Sequence, residues 1–279
     1  MPELPEVETI KTAISESVGN GRIKKVNIRN RKFKEPIPLD FENVVSGAKI
    51  ISFKRIAKYI VIELDNGNSI IWHLGMSGRI KILDSMPEEL EKHDHIIIEL
   101  DNKTLIYNDA RRFGLITHCK TKDLKSHKLL SKIGLDPFDE NLTAEYLYKN
   151  LKTKKNPIKT ALLDQTIING IGNIYASEIL FLAGISPLRL SNAITKKESQ
   201  KIIEATIEVL KKAIKAGGST LKDYRKPDGG IGYFQNSHCV YNKTGQKCCN
   251  CTCDTSKTGG IKKITQAGRS TFYCPVKQN

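Results

Sequence analysis

Long apolar runs and internal repeats are missing from this chain of 279 residues, and its first residues do not resemble a secretory leader. No hydrophobic stretch approaches the ~18 residues that a membrane-spanning helix needs. Residues 1–6, MPELPE, place acids and prolines where a signal peptide would have a basic region and an apolar core. We therefore expect an intracellular protein, cytoplasmic or nucleoid-associated, with no membrane partner.

Acidic residues are also few. Thirty Asp and Glu stand against 45 Lys and Arg, which gives a formal net charge of +15. Such an excess concentrates polyanions at a protein surface, so nucleic acid is the first candidate partner and an acidic membrane face the second. With 39% hydrophobic residues the chain can bury real cores, and its length fits about two domains, which excludes a largely disordered protein.

The seven cysteines are an odd number, and they crowd towards the C-terminus. Five of them are Cys248, Cys249, Cys251, Cys253 and Cys274. This distribution favours a metal site in a reducing compartment over a framework of disulfides.

The spacing of apolar residues predicts an α+β protein. Helical periodicity over residues 7–18 gives way to short β-branched runs, which indicate a β-sandwich or barrel. Helical periodicity returns after a polar stretch and ends at a Cys-rich module. The predicted strands cover residues 23–28, 50–53, 59–64, 69–74, 95–100, 104–107 and 115–118, and the later helices cover 144–151, 158–165, 173–183 and 197–215.

These patterns divide the chain into four parts. Residues 1–120 form a β-sandwich with an N-terminal helix, and 121–143 form a linker. Residues 144–235 form a helical domain that ends in a Gly-rich loop, and 236–279 form a small Cys-bearing hairpin.

The N-terminus itself is a candidate reactive group. Pro2 has a small side chain, so removal of Met1 would leave a secondary amine. An α-amine has a pKa near ~7.7–8.0, so part of it is a free nucleophile at neutral pH and can form an imine. Glu3 or Glu6 could move protons in that reaction. The alternative is a plain helix start, with Glu6 and Glu8 favourable at its positive end.

Residues 1–9 (MPELPEVET) resemble the start of the formamidopyrimidine-DNA glycosylases, bifunctional base-excision enzymes with an N-terminal proline nucleophile. Six further segments match this family in order. They are residues 58–59 (KY), 73–78 (HLGMSG), 109–114 (DARRFG), 163–165 (LDQ), 170–178 (GIGNIYASE) and 267–271 (AGRST). Apart from the linker and the loops between these segments, the resemblance spans nearly the whole chain.

The resemblance implies a set of catalytic residues and DNA contacts. Pro2 would be the nucleophile, Glu3 would assist proton transfer, and Lys58 and Arg269 would complete the active site. The implied DNA contacts are His73, Met76, His93, Arg111, Phe113, Asn173 and Arg269. Met76, Arg111 and Phe113 would fill the gap left by a flipped nucleotide, because extruding a base costs stacking and pairing that side chains can replace.

The residues alone leave simpler interpretations open for these positions. Lys58 could be a solvated lysine at a strand start, and residues 111–113 could be a surface turn with its aromatic ring folded inwards. Gly170 and Gly172 could mark an ordinary helix start. The resemblance instead makes this segment the helix-two-turn-helix DNA-binding element, in which Asn173 contacts a phosphate at the helix N-terminus.

The loop that follows the last long helix implies the substrate. Residues 217–234 resemble the loop that covers a flipped 8-oxoguanine, with Ser219, Thr220 and Tyr224 as lesion-binding residues. This favours oxidised purines over the oxidised pyrimidines of the related endonuclease VIII enzymes.

The Cys-bearing module departs from the family pattern, C-x2-C followed by C-P-x-C, which holds zinc. Cys248 and Cys251 form the first pair and Cys274 begins the second, but Lys277 stands where the fourth cysteine belongs. The fourth ligand could be Cys253, Cys249 or His238. The alternative is that zinc has been lost and the hairpin is held by its own packing.

The sequence therefore predicts a monomeric base-excision enzyme that removes 8-oxoguanine and formamidopyrimidines from double-stranded DNA and cleaves abasic sites by β,δ-elimination. DNA would lie across a basic cleft between the sandwich and the helical domain. The alternatives are an endonuclease VIII-like enzyme and an inert DNA-binding protein.

Overall fold

The chain divides into two compact units in the computed structural model, which describes residues 1–220, 225–249 and 252–278. The first unit contains Met1–Lys132 and Ile214–Gln235, and the second contains Ile133–Ala213 and Asn236–Asn279. The described residues between Ile214 and Gln235 thus belong to the first unit, whereas the sequence predicts a helical domain over residues 144–235. The predicted domain limits remain predictions.

The first unit is a β-sandwich of two four-stranded antiparallel sheets. One sheet has the strand order β1-β6-β7-β5 and the other has β2-β3-β4-β8. The strands are β1 Ile23–Ile28, β2 Ile50–Ile56, β3 Tyr59–Leu64, β4 Asn68–His73, β5 Arg79–Leu83, β6 Asp94–Leu100, β7 Thr104–Asn108 and β8 Leu115–Lys120. The predicted sandwich is confirmed, but the sequence analysis missed β5.

Where the structure describes the sandwich, its α-helices are α1 (Leu4–Val18) and the short α2 (Phe41–Val45). The apolar face of α1 carries Val7, Ile10 and Ile14, which are buried in the same core as Trp72 and Tyr107. The rings of Trp72 and Tyr107 meet edge to face, with their centroids 5.3 Å apart. This packing fixes the first turn of α1 against the sandwich, because an apolar stripe at helical spacing must cover a core.

The second unit is helical and ends in a β-hairpin. Its helices are α3 Ala144–Lys152, α4 Ile158–Leu162, α5 Asn173–Ala183, α6 Lys196–Lys215 and α7 Thr255–Thr258, and its strands are β9 Lys262–Gln266 and β10 Arg269–Tyr273. Phe181 of α5 packs with Val240, Ile261 and Phe272, so the hairpin shares a core with α5. Among the described residues, no helix is long and apolar enough to cross a membrane.

Candidate active site

The start of the chain is buried at the N-terminus of α1. Pro2 is buried and Glu3 is 4% exposed, whereas Met1 is 48% exposed. Glu3 is the N-cap of α1, and its backbone N–H donates to Oε2 of Glu6 at 2.8 Å. Pro5 lies in the first helical turn, where a missing N–H breaks no helical hydrogen bond. An amine at Pro2 would therefore be held by a fixed helix end.

Glu6 also joins this helix end to the loop after α6. Its second oxygen, Oε1, accepts a hydrogen bond from the backbone N–H of Ser219 at 2.7 Å. Gly218 has a φ of 79°, and a Cβ there would come within 2.8 Å of the Glu6 side chain. Only glycine allows both this backbone conformation and this close approach.

Further hydrogen bonds connect the two ends of this loop to each other. The hydroxyl of Thr220 accepts from the backbone N–H of Gly232 at 2.8 Å, and Oε1 of Gln235 accepts from the backbone N–H of Thr220 at 2.8 Å. Ser219 and Thr220, two of the predicted lesion contacts, thus lie beside the N-terminus of α1 and within the first unit. Tyr224, the third, lies outside the described residues.

Lys58 stands at a buried turn between β2 and β3 and is 8% exposed. The residue before it, Ala57, has a φ of 54°. Arg55 supports this turn, because its guanidinium donates to the carbonyl oxygen of Ala57 at 3.3 Å and to Oε2 of Glu8 on α1 at 2.7 Å. Lys58 is therefore not the solvated lysine of the simpler interpretation.

His73 lies across the strand pair from Tyr59, with ring centroids 4.9 Å apart. Nδ1 of His73 accepts from the backbone N–H of Gly75 at 3.0 Å. Burial, together with the positive charge of Lys58, lowers the pKa of His73 to about 4. The imidazole is therefore neutral at physiological pH, with Nδ1 unprotonated.

Met76 and Phe113 protrude from two loops of the sandwich, with exposed fractions of 38% and 45%. The guanidinium of Arg111 lies 4.6 Å from the centroid of the Phe113 ring, a cation–π contact. Phe113 is not folded inwards, so the simpler interpretation of this turn is wrong. A cavity of about 190 Å³ lies beside it, lined by Lys34, Glu35, Tyr59, His73, Phe113, Gly114 and Leu115.

His93, the remaining predicted contact of this unit, precedes β6. Its ring centroid lies 6.1 Å from that of His95, and its carbonyl oxygen accepts from the backbone N–H of Asp109 at 3.1 Å.

In the second unit, a buried lysine connects Asn173 to the hairpin. Lys159 is 1% exposed, and its Nζ donates to Oδ1 of Asn173 at 2.7 Å, to the carbonyl oxygen of Ser270 at 2.9 Å and to the hydroxyl of Thr271 at 2.8 Å. Three acceptors match the three donors of an ammonium group. Asn173 also donates to the carbonyl oxygen of Ser270 at 2.9 Å. The helix start and the strand that begins with exposed Arg269 are thereby held together.

Glu178 on α5 holds the backbone of residues 239–241, which precede Cys248 in the chain. Its carboxylate accepts from the backbone N–H groups of Cys239, Val240 and Tyr241 at 2.7–3.0 Å. Burial raises the pKa of Glu178 despite these hydrogen bonds. No sequence pattern indicates these roles of Lys159 and Glu178, because a single charged residue in a helical pattern is typical of a solvated face.

Three of the four predicted zinc ligands come together. The Sγ atoms of Cys248, Cys253 and Cys274 all lie within 4.8 Å of one another. Cys251 lies outside the described residues. Cys239 and Cys249 form a disulfide, with Cα atoms 5.0 Å apart. Cys249, one of the alternatives for the fourth ligand, is therefore bonded to Cys239 and is not available as a free thiolate in this structure.

Lys277, which stands where the family has a cysteine, points to α5. Its Nζ lies 4.4 Å from the centroid of the Phe181 ring. His238 is buried, and burial with the nearby charge of Lys243 lowers its pKa to about 4. Its ring packs against Tyr241, with centroids 5.7 Å apart.

Comparisons with known proteins agree with this arrangement. Residues 1–116 match the model of the formamidopyrimidine-DNA glycosylase N-terminal domain, and residues 133–225 match that of the formamidopyrimidine-DNA glycosylase H2TH domain. The formamidopyrimidine-DNA glycosylase of Rhodospirillum rubrum is 42% identical over 280 residues, and that of Dinoroseobacter shibae is 39% identical over 287 residues. Both comparisons cover 100% of each chain.

Solved structures give the same result. A Lactococcus lactis Fpg variant, crystallised in complex with DNA containing Fapy-dG, superposes with a TM-score of 0.90 at 33% identity over 100% of both chains. The Fpg (MutM) protein of Thermus thermophilus superposes with a TM-score of 0.87 at 33% identity, covering 99% of this chain and 98% of that one.

The fold and site define a two-unit protein with a β-sandwich, a helix-two-turn-helix element and a Cys-bearing hairpin. The chain belongs to the formamidopyrimidine-DNA glycosylase family, as the sequence analysis predicted.

The low pKa of His73 predicts a pH dependence of stability. Between about pH 6.5 and pH 4 the unfolded chain protonates His73 and the folded chain does not, so the free energy of unfolding falls as the pH falls. In His73→Gln this fall should be shallower by up to about 1.4 kcal/mol per pH unit, as chemical denaturation at a series of pH values would measure. Above pH 7 the two curves should run parallel. Equal slopes between pH 4 and pH 6.5 would contradict the low pKa of His73 in the folded protein.

Proposed function

We propose that the protein is a bifunctional DNA glycosylase and abasic-site lyase that removes oxidised purines, 8-oxoguanine and formamidopyrimidines, from double-stranded DNA. This proposal rests on the buried start of the chain, where Pro2 precedes Glu3, the N-cap of α1. The carboxylate of Glu6 connects the backbone of Glu3 to that of Ser219 in the loop after α6. The named activity of the relatives and the lesion-containing DNA in the related complexes support it.

The proposed reaction begins once Met1 has been removed. The neutral amine of Pro2 attacks C1′ of the extruded nucleotide, so that an N–C1′ bond forms and the C1′–N bond to the oxidised base breaks. The base leaves with a proton, and Glu3 donates a proton to O4′ as the C1′–O4′ bond breaks and the sugar ring opens to an iminium ion. The iminium group acidifies the hydrogens on C2′, so β-elimination releases the 3′ phosphate and δ-elimination then releases the 5′ phosphate. Hydrolysis by water finally separates the remaining sugar fragment from Pro2.

The other predicted residues have separate tasks in this scheme. Lys58 would bind near the damaged nucleotide and its phosphate, and Asn173 and Arg269 would hold phosphates of the same duplex. His73 and His93 would contact DNA beside the gap. Lys159 would act through Asn173 and the hairpin, because it fixes both.

Met76, Arg111 and Phe113 would enter the duplex where the damaged nucleotide leaves it. Their exposure and the cation–π pair support this role, since apolar side chains can replace lost stacking and an arginine can replace lost hydrogen bonds. Ser219, Thr220 and Tyr224 would surround the flipped base.

The hairpin cysteines fit a structural zinc ion. Thiolates bound to tetrahedral zinc at about 2.3 Å lie about 3.8 Å apart, which suits the three clustered sulfur atoms. We propose Cys248, Cys253 and Cys274 as ligands and Cys251 as the fourth. Zinc would supply no chemistry to the reaction; it would stabilise the fold of the hairpin that carries Arg269.

We propose that the protein acts as a monomer, in the cytoplasm or at the nucleoid, on double-stranded DNA with oxidised bases or abasic sites. An endonuclease VIII-like enzyme for oxidised pyrimidines is the closest alternative, and an inert DNA-binding protein is the other.

The reaction is tested by strand cleavage of two duplexes, one with 8-oxoguanine and one with thymine glycol. The first should be cleaved faster, and Glu3→Gln should slow base removal by ~10²–10⁴-fold with little change in the Kd for DNA, because it removes only proton transfer. Glu16→Gln, an exposed carboxylate on the same helix, is the matched control and should cleave normally. Preference for thymine glycol would support the alternative enzyme, and cleavage of neither duplex would support the inert binder.

The zinc site is tested by metal analysis of purified protein. About one zinc per chain should be present, and Cys253→Ser and Cys248→Ser should each lose it with a lower melting temperature of the hairpin unit, because metal binding and folding of a small module are coupled. Cys119→Ser, which removes a free thiol of the sandwich, should keep its zinc. Fully active protein without zinc, or zinc retained by Cys253→Ser, would contradict the proposed ligands.

A further inference from the structure

The two loops that carry Met76 and Phe113 lie side by side at one end of the sandwich. Residues 74–78, the first loop, connect β4 to β5, and residues 109–114, the second loop, connect β7 to β8. In one sheet β4 pairs with β8, and in the other β5 pairs with β7. Each loop therefore crosses from one sheet to the other, and the two crossings are neighbours.

Asp109 binds both loops with one carboxylate. Its Oδ1 accepts from the hydroxyl of Ser77 in the first loop at 2.5 Å and from the backbone N–H of Arg111 at 3.3 Å. Its Oδ2 accepts from the backbone N–H of Gly114 at 2.8 Å. Asp109 is 0% exposed, so water does not compete for these hydrogen bonds.

Tyr107, at the end of β7, belongs to the same hydrogen-bond network. Its hydroxyl donates a hydrogen bond that two acceptors share, the carbonyl oxygen of Leu74 in the first loop at 3.1 Å and Oδ2 of Asp109 at 3.2 Å. Burial and the neighbouring carboxylate raise the pKa of Tyr107 well above its usual value, so the hydroxyl keeps its proton.

Glycines permit this close packing. A Cβ at Gly78 or Gly114 would clash with the hydroxyl of Tyr107, and a Cβ at Gly75 would clash with the backbone of Phe113 and Gly114. The backbones of the two loops are therefore in direct contact. Separating the loops would break buried hydrogen bonds.

We propose that Asp109 and Tyr107 are positioning residues that hold the two loops as one preorganised unit, so that Met76, Arg111 and Phe113 enter the duplex together. This inference rests on the proposed function. Neither residue contacts the DNA itself; each acts by fixing the positions of the two loops. Preorganisation matters most when the damaged nucleotide must be forced out of the stack, and least when the nucleotide already lacks a base.

The test compares two substrates under single-turnover conditions, a duplex with 8-oxoguanine and a duplex with a preformed abasic site. Tyr107→Phe removes only the hydroxyl and should slow 8-oxoguanine release about tenfold, the order expected for loss of a buried hydrogen bond. Strand cleavage at the abasic site should change less than about twofold, because the lyase step needs no extrusion of a stacked base.

Two further variants keep the test decisive if Tyr107→Phe folds poorly. Ser77→Ala removes the hydrogen bond from the first loop to Asp109 and should show the same split between substrates, whereas Ser77→Thr retains a hydroxyl and should restore base release. Tyr146→Phe is the matched control, since its hydroxyl donates to the carbonyl oxygen of Ile167 at 3.0 Å in the helical unit. It should leave both rates unchanged.

Equal slowing of both substrates by Tyr107→Phe and Ser77→Ala would overturn the inference, as would no slowing of either. If the unaltered protein processes neither duplex, the proposed function fails and the inference fails with it. If the unaltered protein processes both and the variants show no split, the inference alone is wrong.

Discussion

The buried carboxylate of Glu6 is the constraint on which the proposed active site depends. Each of its oxygens accepts a backbone N–H, one from Glu3 and one from Ser219, more than 200 residues away in sequence. A buried carboxylate is costly unless its oxygens are hydrogen-bonded, so Glu6 holds the start of the chain to the backbone at Ser219. The proposed nucleophile Pro2, the proposed proton-transfer residue Glu3 and the proposed lesion contact Ser219 are therefore connected through one side chain.

Most of the sandwich could be predicted from sequence, because alternating β-branched runs and helical periodicity are strong local signals. Strand β5 (Arg79–Leu83) was missed because it is short and two of its five residues are charged. Helix α1 begins at Leu4 rather than at the predicted Val7, since Pro5 falls where helices tolerate proline. Ser219, in the loop after α6, is joined to α1 through Glu6, a long-range contact that no local pattern indicates.

The site was predicted less completely, and the reason is that its supporting residues act through distant partners. The resemblance to the family gave Pro2, Glu3, Lys58 and the DNA contacts, whereas Lys159, Glu178 and Asp109 have acceptors or donors far along the chain or in a crossing loop. In the hairpin, the sequence predicts Cys248, Cys251, Cys253 and Cys274 as ligands. The structure brings three of them together, Cys248, Cys253 and Cys274, and joins Cys239 to Cys249, which no sequence pattern indicates.

In the proposed reaction, the chain start held by Glu6 is the group that attacks the sugar. This is tested most directly by borohydride reduction of the protein on an abasic duplex, followed by proteolysis and mass spectrometry of the DNA-linked peptide. We expect one sugar adduct, on the peptide that begins with Pro2, and no adduct in protein that retains Met1. An adduct on Lys58 or on any other lysine would contradict the proposed reaction.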